Sequence, residues 1–329
     1  MVPGTSRPVT RVLLTGAAGF IGSHLAERLL ARGDEVVGLD NFDLFYARDL
    51  KERNLLAARG HPAFTFHQAD ILETEAVTRL LTPETVIVHL AAKAGVRPSL
   101  RDPAGYVRAN VTGTQSLIDA AWATGVSRFV FGSSSSVYGD DTTPPFREDA
   151  AAVHPISPYA ATKRAGELLL EALAPHTGLR AAALRFFTVY GPRQRPDLAI
   201  RTFTRRMLAG ETITMFGDGS EARDYTYIDD IVSGVVSAVD WTATARFGME
   251  VFNLGGNETV PLDRMIATIA QSLGVEPRIE RGPRQPGDVR LTSADLSHSE
   301  AVLGYRPQTP FPEGIRRFVA WYREAYAHQ

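Results

Sequence analysis

The stretch TGAAGFIG, Thr15 to Gly22, constrains the fold of this 329-residue chain more than any other. It closes the strand-like run RVLLTG (Arg11 to Gly16) and opens a helix-like segment from about Ile21 to Arg32. Gly16, Gly19 and Gly22 fall in a G-x-x-G-x-x-G arrangement. Lacking a Cβ, they permit a tight turn and close approach of backbone to a ligand. The helix that follows then turns its free N–H groups and positive dipole end toward a pyrophosphate. A glycine pattern alone is weak evidence, and its weight comes from the strand–turn–helix context. EVVGLD (Glu35 to Asp40) reads as the next strand, and Asp40 ends it 18 residues beyond Gly22. A carboxylate there accepts hydrogen bonds from both ribose hydroxyls and repels a 2′-phosphate, which predicts NAD rather than NADP.

The alternation continues. FTFHQAD (Phe64 to Asp70), VIVHLAA (Val86 to Ala92), RFVFGS (Arg128 to Ser133) and RAAALRF (Arg180 to Phe186) read as further strands. Between them lie helix-like segments at about Tyr46–Arg59, Glu73–Leu81, Ala104–Thr124 and Tyr159–Thr177. Near-continuous apolar strands alternating with helices predict an α/β fold with a Rossmann-type doubly wound parallel sheet. After Gly191 the texture changes: Pro192, Pro196, GDGS (Gly217 to Ser220) and RGPRQPGD (Arg281 to Asp288) break the alternation. They predict a smaller mixed α/β substrate-binding lobe from about 192–225 and 256–329, with residues 1–191 and returning segments about 226–255 forming the NAD-binding domain. Met1 to Thr10 is expected to be a short unstructured lead-in.

Composition narrows the function class. A formal net charge of −2 without a basic stripe argues against nucleic acid. Zero cysteines exclude disulfides and thiolate metal sites and make the cytoplasm the expected location. No apolar run approaches a membrane span, and the N-terminus lacks the apolar core of a signal peptide. The eight histidines show no ligand spacing, so no metal is expected, and His89 in a buried strand reads as a core residue.

SPYAATKRAGE places Tyr159 and Lys163 at i and i+4 near a helix start, on one face. An ammonium beside a phenol favours phenolate, and a tyrosine so tuned can take or return a hydroxyl proton. Tyr-x-x-x-Lys is common by chance, and it gains meaning from lying downstream of the glycine turn and the serine-rich strand end SSSS, Ser133 to Ser136.

With TGAAGFIG, LDNF, ADI, HLAA, NVTGT, SSSSVYG, PYAATK, LRFFTVYGP, RDYTYIDDI and QPGDV in that order, nearly the whole chain resembles the extended short-chain dehydrogenase/reductase family, within it the nucleotide-sugar epimerases. DNFDLFYARDLKERNL, AGVRPS, Thr188 in LRFFTVYG, RPDLA and QPGDV resemble the UDP-glucuronate 4-epimerase members more than the UDP-glucose 4-epimerases. The resemblance implies NAD-dependent C4 epimerisation of a UDP-sugar, UDP-glucuronate to UDP-galacturonate, by a homodimer joined through helices around 104–124 and 159–177. It implies Tyr159 as general base and acid, Lys163 as its partner on the nicotinamide ribose, and Ser134 as the hydroxyl that shares the proton. Cofactor contacts are implied for Gly16, Gly19, Phe20, Ile21, Gly22, Asp40, Asn41, Asp70, Ile71, Ala91 and Lys93 as well as Tyr159 and Lys163.

For the substrate, the resemblance implies a uracil slot at Phe216, a pyrophosphate contact at Arg223 and a ribose contact at Asp288. Either Arg284 or Gln285 stands where the family has a second phosphate ligand. A hexuronate adds a carboxylate whose oxygens must be satisfied, and Ser135, Ser136, Thr188 and Arg195 are suitable donors. Dehydratases of the family carry an Asp-Glu pair where this chain has Ser135 and Ser136, so dehydration is disfavoured, as are decarboxylation and a non-catalytic NAD sensor. Asn110 of NVTGT reads as a structural hydrogen-bonding residue, and Arg97 is expected near phosphates or sugar.

Overall fold

A computed structural model describes residues 8–140, 142–256, 258–283 and 291–327. Its strands, in chain order, are β1 (Arg11–Thr15), β2 (Glu35–Asp40), β3 (Phe64–Gln68), β4 (Val86–His89), β5 (Arg128–Ser134), β6 (Arg180–Phe186), β7 (Thr188–Tyr190), β8 (Ile213–Phe216), β9 (Ala222–Tyr227), β10 (Gly248–Leu254), β11 (Thr259–Pro261) and β12 (Ile279–Gly282). Seven of them form a parallel sheet in the order β10-β6-β5-β4-β1-β2-β3. The central strands are apolar because helices cover both faces: Val12, Leu13, Leu14, Val86, Ile87 and Val88 are all fully buried. Strand order reverses between β1 and β4, which opens a crevice at their carboxyl ends. TGAAGFIG leaves β1 at that crevice.

The six strands read from the sequence are all present. Two helical segments differ in detail. Residues around Tyr46–Arg59 form two short helices, Arg48–Asn54 and Leu56–Arg59. The long segment before β5 contains a π-helical turn, Val107–Thr112, ahead of the helix Gly113–Thr124. The wider turn carries Asn110, whose Oδ1 accepts the Lys93 N–H (2.8 Å) while Nδ2 donates to Lys93 O (2.9 Å) and Thr162 Oγ1 (3.0 Å). Asn110 thus pins the loop after β4 to the helix Pro158–Thr177.

Beyond β6 the chain builds a three-stranded sheet, β11-β9-β7, and a β12-β8 pair. The helix Ile228–Trp241 shares a core with the helix Phe20–Ala31, and β10 then joins the large sheet beside β6. The helix Leu262–Leu273 buries Met265, Ile266, Ile269, Ala270 and Leu273, an amphipathic stripe at helical spacing. One apolar core runs from Val12 and Val88 under the large sheet to Ile213, Ile269 and Phe318. Among the described residues, no helix is long and apolar enough to cross a membrane.

Candidate active site

The crevice has two ends. At the first, Gly16 adopts φ +71° and donates its N–H to Leu39 O (2.8 Å). A Cβ there would lie 2.8 Å from Ala91 N, and one on Gly22 would lie 2.1 Å from Gly16 O. Only glycine lets the turn, the helix and the end of β4 meet so closely. Asp40 is buried, with Oδ2 accepting the Ala18 N–H (3.1 Å) and Oδ1 the Phe42 N–H (2.8 Å). Burial pushes its carboxyl above the usual range, opposed by the Lys51 charge and these two N–H groups. Asn41 Nδ2 donates to Asp70 Oδ2 (2.9 Å), so Asp40, Asn41 and Asp70 stand side by side at the ends of β2 and β3. Phe20 and Ile71 are buried, and Ile21 and Ala91 are half-buried. Backbone N–H groups with no Cβ over them, next to a carboxylate, fit the pyrophosphate and ribose of a dinucleotide. Lys93 is half-buried, and its Nζ donates to Asp102 Oδ2 (2.7 Å).

The second end is assembled from β5 and the helix Pro158–Thr177. Ser157 caps that helix, its side chain accepting the Ala160 N–H (3.1 Å), and Pro158 occupies the first turn, where a missing N–H costs nothing. A Cβ on Gly166 would lie 2.5 Å from the Phe131 ring, so glycine lets the helix lie close against β5. Lys163 is buried there, donating to Gly132 O (2.7 Å) with its ammonium 5.0 Å from the Phe131 ring centroid. Burial lowers its pKa to about 8, and the charge of Glu167 opposes that fall.

The four serines separate. Ser133 is buried and donates to Glu167 Oε1 (2.6 Å), a structural bond. The Ser134 hydroxyl is near enough to the phenol of Tyr159 to lower its pKa. Its Oγ also accepts from Ser136 Oγ (2.9 Å) and Ser136 N (3.2 Å). Ser135 and Ser136 begin the 3-10 turn Ser135–Tyr138 and are half-buried, as is Thr188 at the start of β7. Burial raises the Tyr159 pKa, while Ser134 and the Arg195 guanidinium lower it. The sequence pointed to Lys163 as the cation acting on the phenol. In the structure the Arg195 guanidinium acts on the phenol, and the ammonium of Lys163, on the same helix face, donates to Gly132 O. Arg195 lies over the Phe45 ring (5.2 Å) and forms a two-point pair with Asp197 (3.0 and 2.8 Å).

Other residues singled out in the sequence are more dispersed. Phe216 ends β8 and lies under the Arg97 guanidinium (5.9 Å), which brings the segment after β4 against β8. Arg223, in β9, donates to Ala222 O (3.0 Å). Arg284, Gln285 and Asp288 lie outside the described residues. His89 is a core residue, bonded to Thr15 Oγ1 (2.8 Å) and Thr114 Oγ1 (3.0 Å) and held neutral by burial, with its pKa lowered to about 3.

Sequence reasoning missed Glu167 and Arg185, which form a buried two-point ion pair (2.9 and 2.9 Å) directly behind the serines. Both left a signal. Glu167 continues the Tyr159–Lys163 stripe by one further i+4 step, and Arg185 is a lone charge in the interior of the otherwise apolar strand RAAALRF. Tyr106, whose ring meets Tyr159 edge-on (6.3 Å), was also missed.

Residues 12–255 match the model of the NAD dependent epimerase/dehydratase family. A UDP-glucuronate 4-epimerase of Thermodesulfobacterium geofontis is 38% identical over 315 residues, spanning 95% of this chain and 96% of that protein. UDP-glucuronate 4-epimerase 4 of Arabidopsis thaliana is 40% identical over 336 residues, spanning 96% of this chain and 76% of that protein. The crystal structure of UDP-glucuronic acid 4-epimerase from Bacillus cereus, in complex with UDP-glucuronic acid and NAD, superposes with a TM-score of 0.90 at 35% identity, covering 96% of this chain and 100% of that one. With a glycine cradle at one end of the crevice and a Tyr–Ser–Lys centre at the other, this chain belongs to the NAD dependent epimerase/dehydratase family.

Proposed function

We propose that this protein is a NAD-dependent UDP-glucuronate 4-epimerase, converting UDP-glucuronate to UDP-galacturonate through a transient 4-keto sugar. One observation carries the reading: the phenol of Tyr159 lies where Ser134 and the Arg195 cation both act on it, and Ser134 is bonded to Ser136 (2.9 Å) beside further short neutral donors. That is an acid–base pair next to groups suited to a carboxylate. The relatives named UDP-glucuronate 4-epimerase support the same substrate.

The cradle of Gly16, Gly19, Phe20, Ile21 and Gly22 holds the pyrophosphate, and Asp40 and Asn41 take the adenosine ribose, with Asp70, Ile71, Ala91 and Lys93 around them. When bound, NAD would supply a hydride acceptor and then donor for C4 of the sugar, with no net redox change. Tyr159 Oη takes the proton of the C4 hydroxyl and later gives it back, with Ser134 sharing it. Lys163 keeps a positive charge beside that proton transfer. Ser135, Ser136, Thr188 and Arg195 hold the C5 carboxylate. The 4-keto sugar is a β-keto acid, which loses CO2 when its C5–carboxylate bond aligns with the carbonyl π system. Holding the carboxylate near the ring plane suppresses that loss. The lobe formed by 192–225 and 256–329 receives the UDP portion through Phe216, Arg223 and Asp288.

A cytoplasmic homodimer completes the proposal. Leu100, Val107, Trp122 and Leu168, on or beside the helices expected to pair, are exposed large apolar side chains, which supports a partner on that face. The deciding experiment incubates the purified protein with UDP-glucuronate and no added NAD. UDP-galacturonate identified by NMR supports the reading, and a UDP-pentose, or no reaction, overturns it.

A further inference from the structure

We propose that Glu167 is a positioning residue of the acid–base centre, joining the helix that carries Tyr159 and Lys163 to the strand that carries the serines. The inference rests on the epimerase reading above. Glu167 is fully buried and makes four charge-assisted or hydroxyl bonds. Oε1 accepts from Ser133 Oγ (2.6 Å) and Arg185 Nε (2.9 Å), and Oε2 accepts from Arg185 Nη2 (2.9 Å) and Arg164 Nη1 (2.9 Å).

Each partner leads to a different part of the site. Ser133 precedes Ser134 in β5, so its bond sets how far the proton-sharing hydroxyl stands from the Tyr159 helix. Arg185 is the neighbour of Ser133 across β5 and β6, and its guanidinium covers the Tyr138 ring (4.6 Å). Tyr138 closes the turn that begins with Ser135 and Ser136, and its hydroxyl donates to Asn253 Oδ1 in β10 (2.7 Å). One carboxylate therefore sets the registry of the base, the shared hydroxyl and the substrate-side turn. A buried network with every member satisfied is rigid, which is what a proton-transfer geometry requires.

Glu167 also acts through charge. The groups facing the Lys163 ammonium are Gly132 O and the Phe131 ring on β5, and the neutral imidazole of His89 on β4, with Glu167 one turn along its own helix. Glu167 is the carboxylate that holds the proton on Lys163 against burial. Loss of the Lys163 charge, expected as pH rises through about 8, should set the alkaline limb of turnover. Removing the Glu167 charge moves that limb to lower pH.

The test compares wild type, Glu167→Gln and Arg164→Gln. Two readouts are used: kcat against pH with UDP-glucuronate, and the titration of Lys163 followed by NMR of its ε-carbon, which needs no substrate. For Glu167→Gln the expected result is a kcat about 10- to 100-fold lower with KM nearly unchanged. Its alkaline limb and the Lys163 midpoint should both move down by about one pH unit. Arg164→Gln removes a cation from the same carboxylate and should move both upward, and it carries the test if Glu167→Gln does not fold. A kcat that falls in Glu167→Gln with KM held and the alkaline limb displaced is not expected of an ion pair that only holds the fold together. A Lys163 midpoint that stays put in both variants overturns the proposal. Shifted midpoints without turnover in wild type leave Glu167 in this role and count against UDP-glucuronate as the substrate.

Discussion

The two ends of the crevice are built by different means. The dinucleotide end is backbone: Gly16 N to Leu39 O, Ala18 N to Asp40 and Phe42 N to Asp40, all within Thr15–Phe42. The acid–base end is side chain: Ser133, Ser134, Tyr159, Lys163, Glu167, Arg185 and Arg195 converge from the ends of two strands, a helix and a loop. Glycine geometry at the first end either admits the cofactor or does not. At the second, hydroxyls and charges are tuned, so single changes should alter rate and pH response while the cofactor stays bound.

Tyr159→Phe is the largest break. It removes the proton acceptor and leaves the cradle untouched, so kcat should fall by about 10³-fold, within the range general acid–base groups supply, with NAD binding changed little. NAD lost in proportion to activity would show that the two ends are not separable. Gly22→Ala attacks the other end. Its Cβ would stand 2.1 Å from Gly16 O, backbone that cannot swing aside. Overpacking of this kind costs about 1–3 kcal/mol or more, which is roughly 10- to 100-fold in NAD affinity if it falls on the cradle. Calorimetry on the cofactor-stripped protein measures it, and an unchanged affinity would refute the steric account.

Asp40→Asn sharpens the comparison, because Asp40 is the carboxylate that two backbone N–H groups of this end hold. Losing a charged acceptor for the ribose hydroxyls should weaken NAD about 10-fold and narrow the preference over NADP. The two affinities, measured on one preparation, check it. If NADP remains excluded as strongly as before, discrimination lies in the surrounding loop rather than in the carboxylate.

The same contrast explains what could be read from the sequence. The cradle was legible because its parts are neighbours along the chain and its glycines answer to local geometry. Tyr159 and Lys163 were legible because a helix puts i and i+4 on one face. The destination of Lys163 was not, since Gly132 O is brought to it only by the packing of helix on β5, at Gly166. The Glu167–Arg185 pair depends on Ser133 lying beside Arg185 across two strands, a register no local pattern encodes. The placing of Arg195 over Phe45, and the π-helical turn that aims Asn110 at Lys93, likewise depend on tertiary contacts.

The smallest expected effect concerns the substrate carboxylate. Ser136 is bonded to Ser134 and Arg195 to Asp197, so Ser135 and Thr188, both half-buried, are the carboxylate donors whose removal disturbs the acid–base centre least. A neutral hydroxyl contributes about 0.5–1.5 kcal/mol, so Ser135→Ala and Thr188→Val should each reduce the rate ratio of UDP-glucuronate over UDP-glucose by roughly 2- to 10-fold. If these hydroxyls hold the carboxylate near the ring plane, each variant should also release more CO2 per turnover, detected as UDP-pentose. Together the two losses should exceed either one, because both donors act on the same group. An unchanged rate ratio with no added CO2 would place carboxylate recognition on Arg195 alone, making the substrate side a single-cation site rather than a hydroxyl cluster.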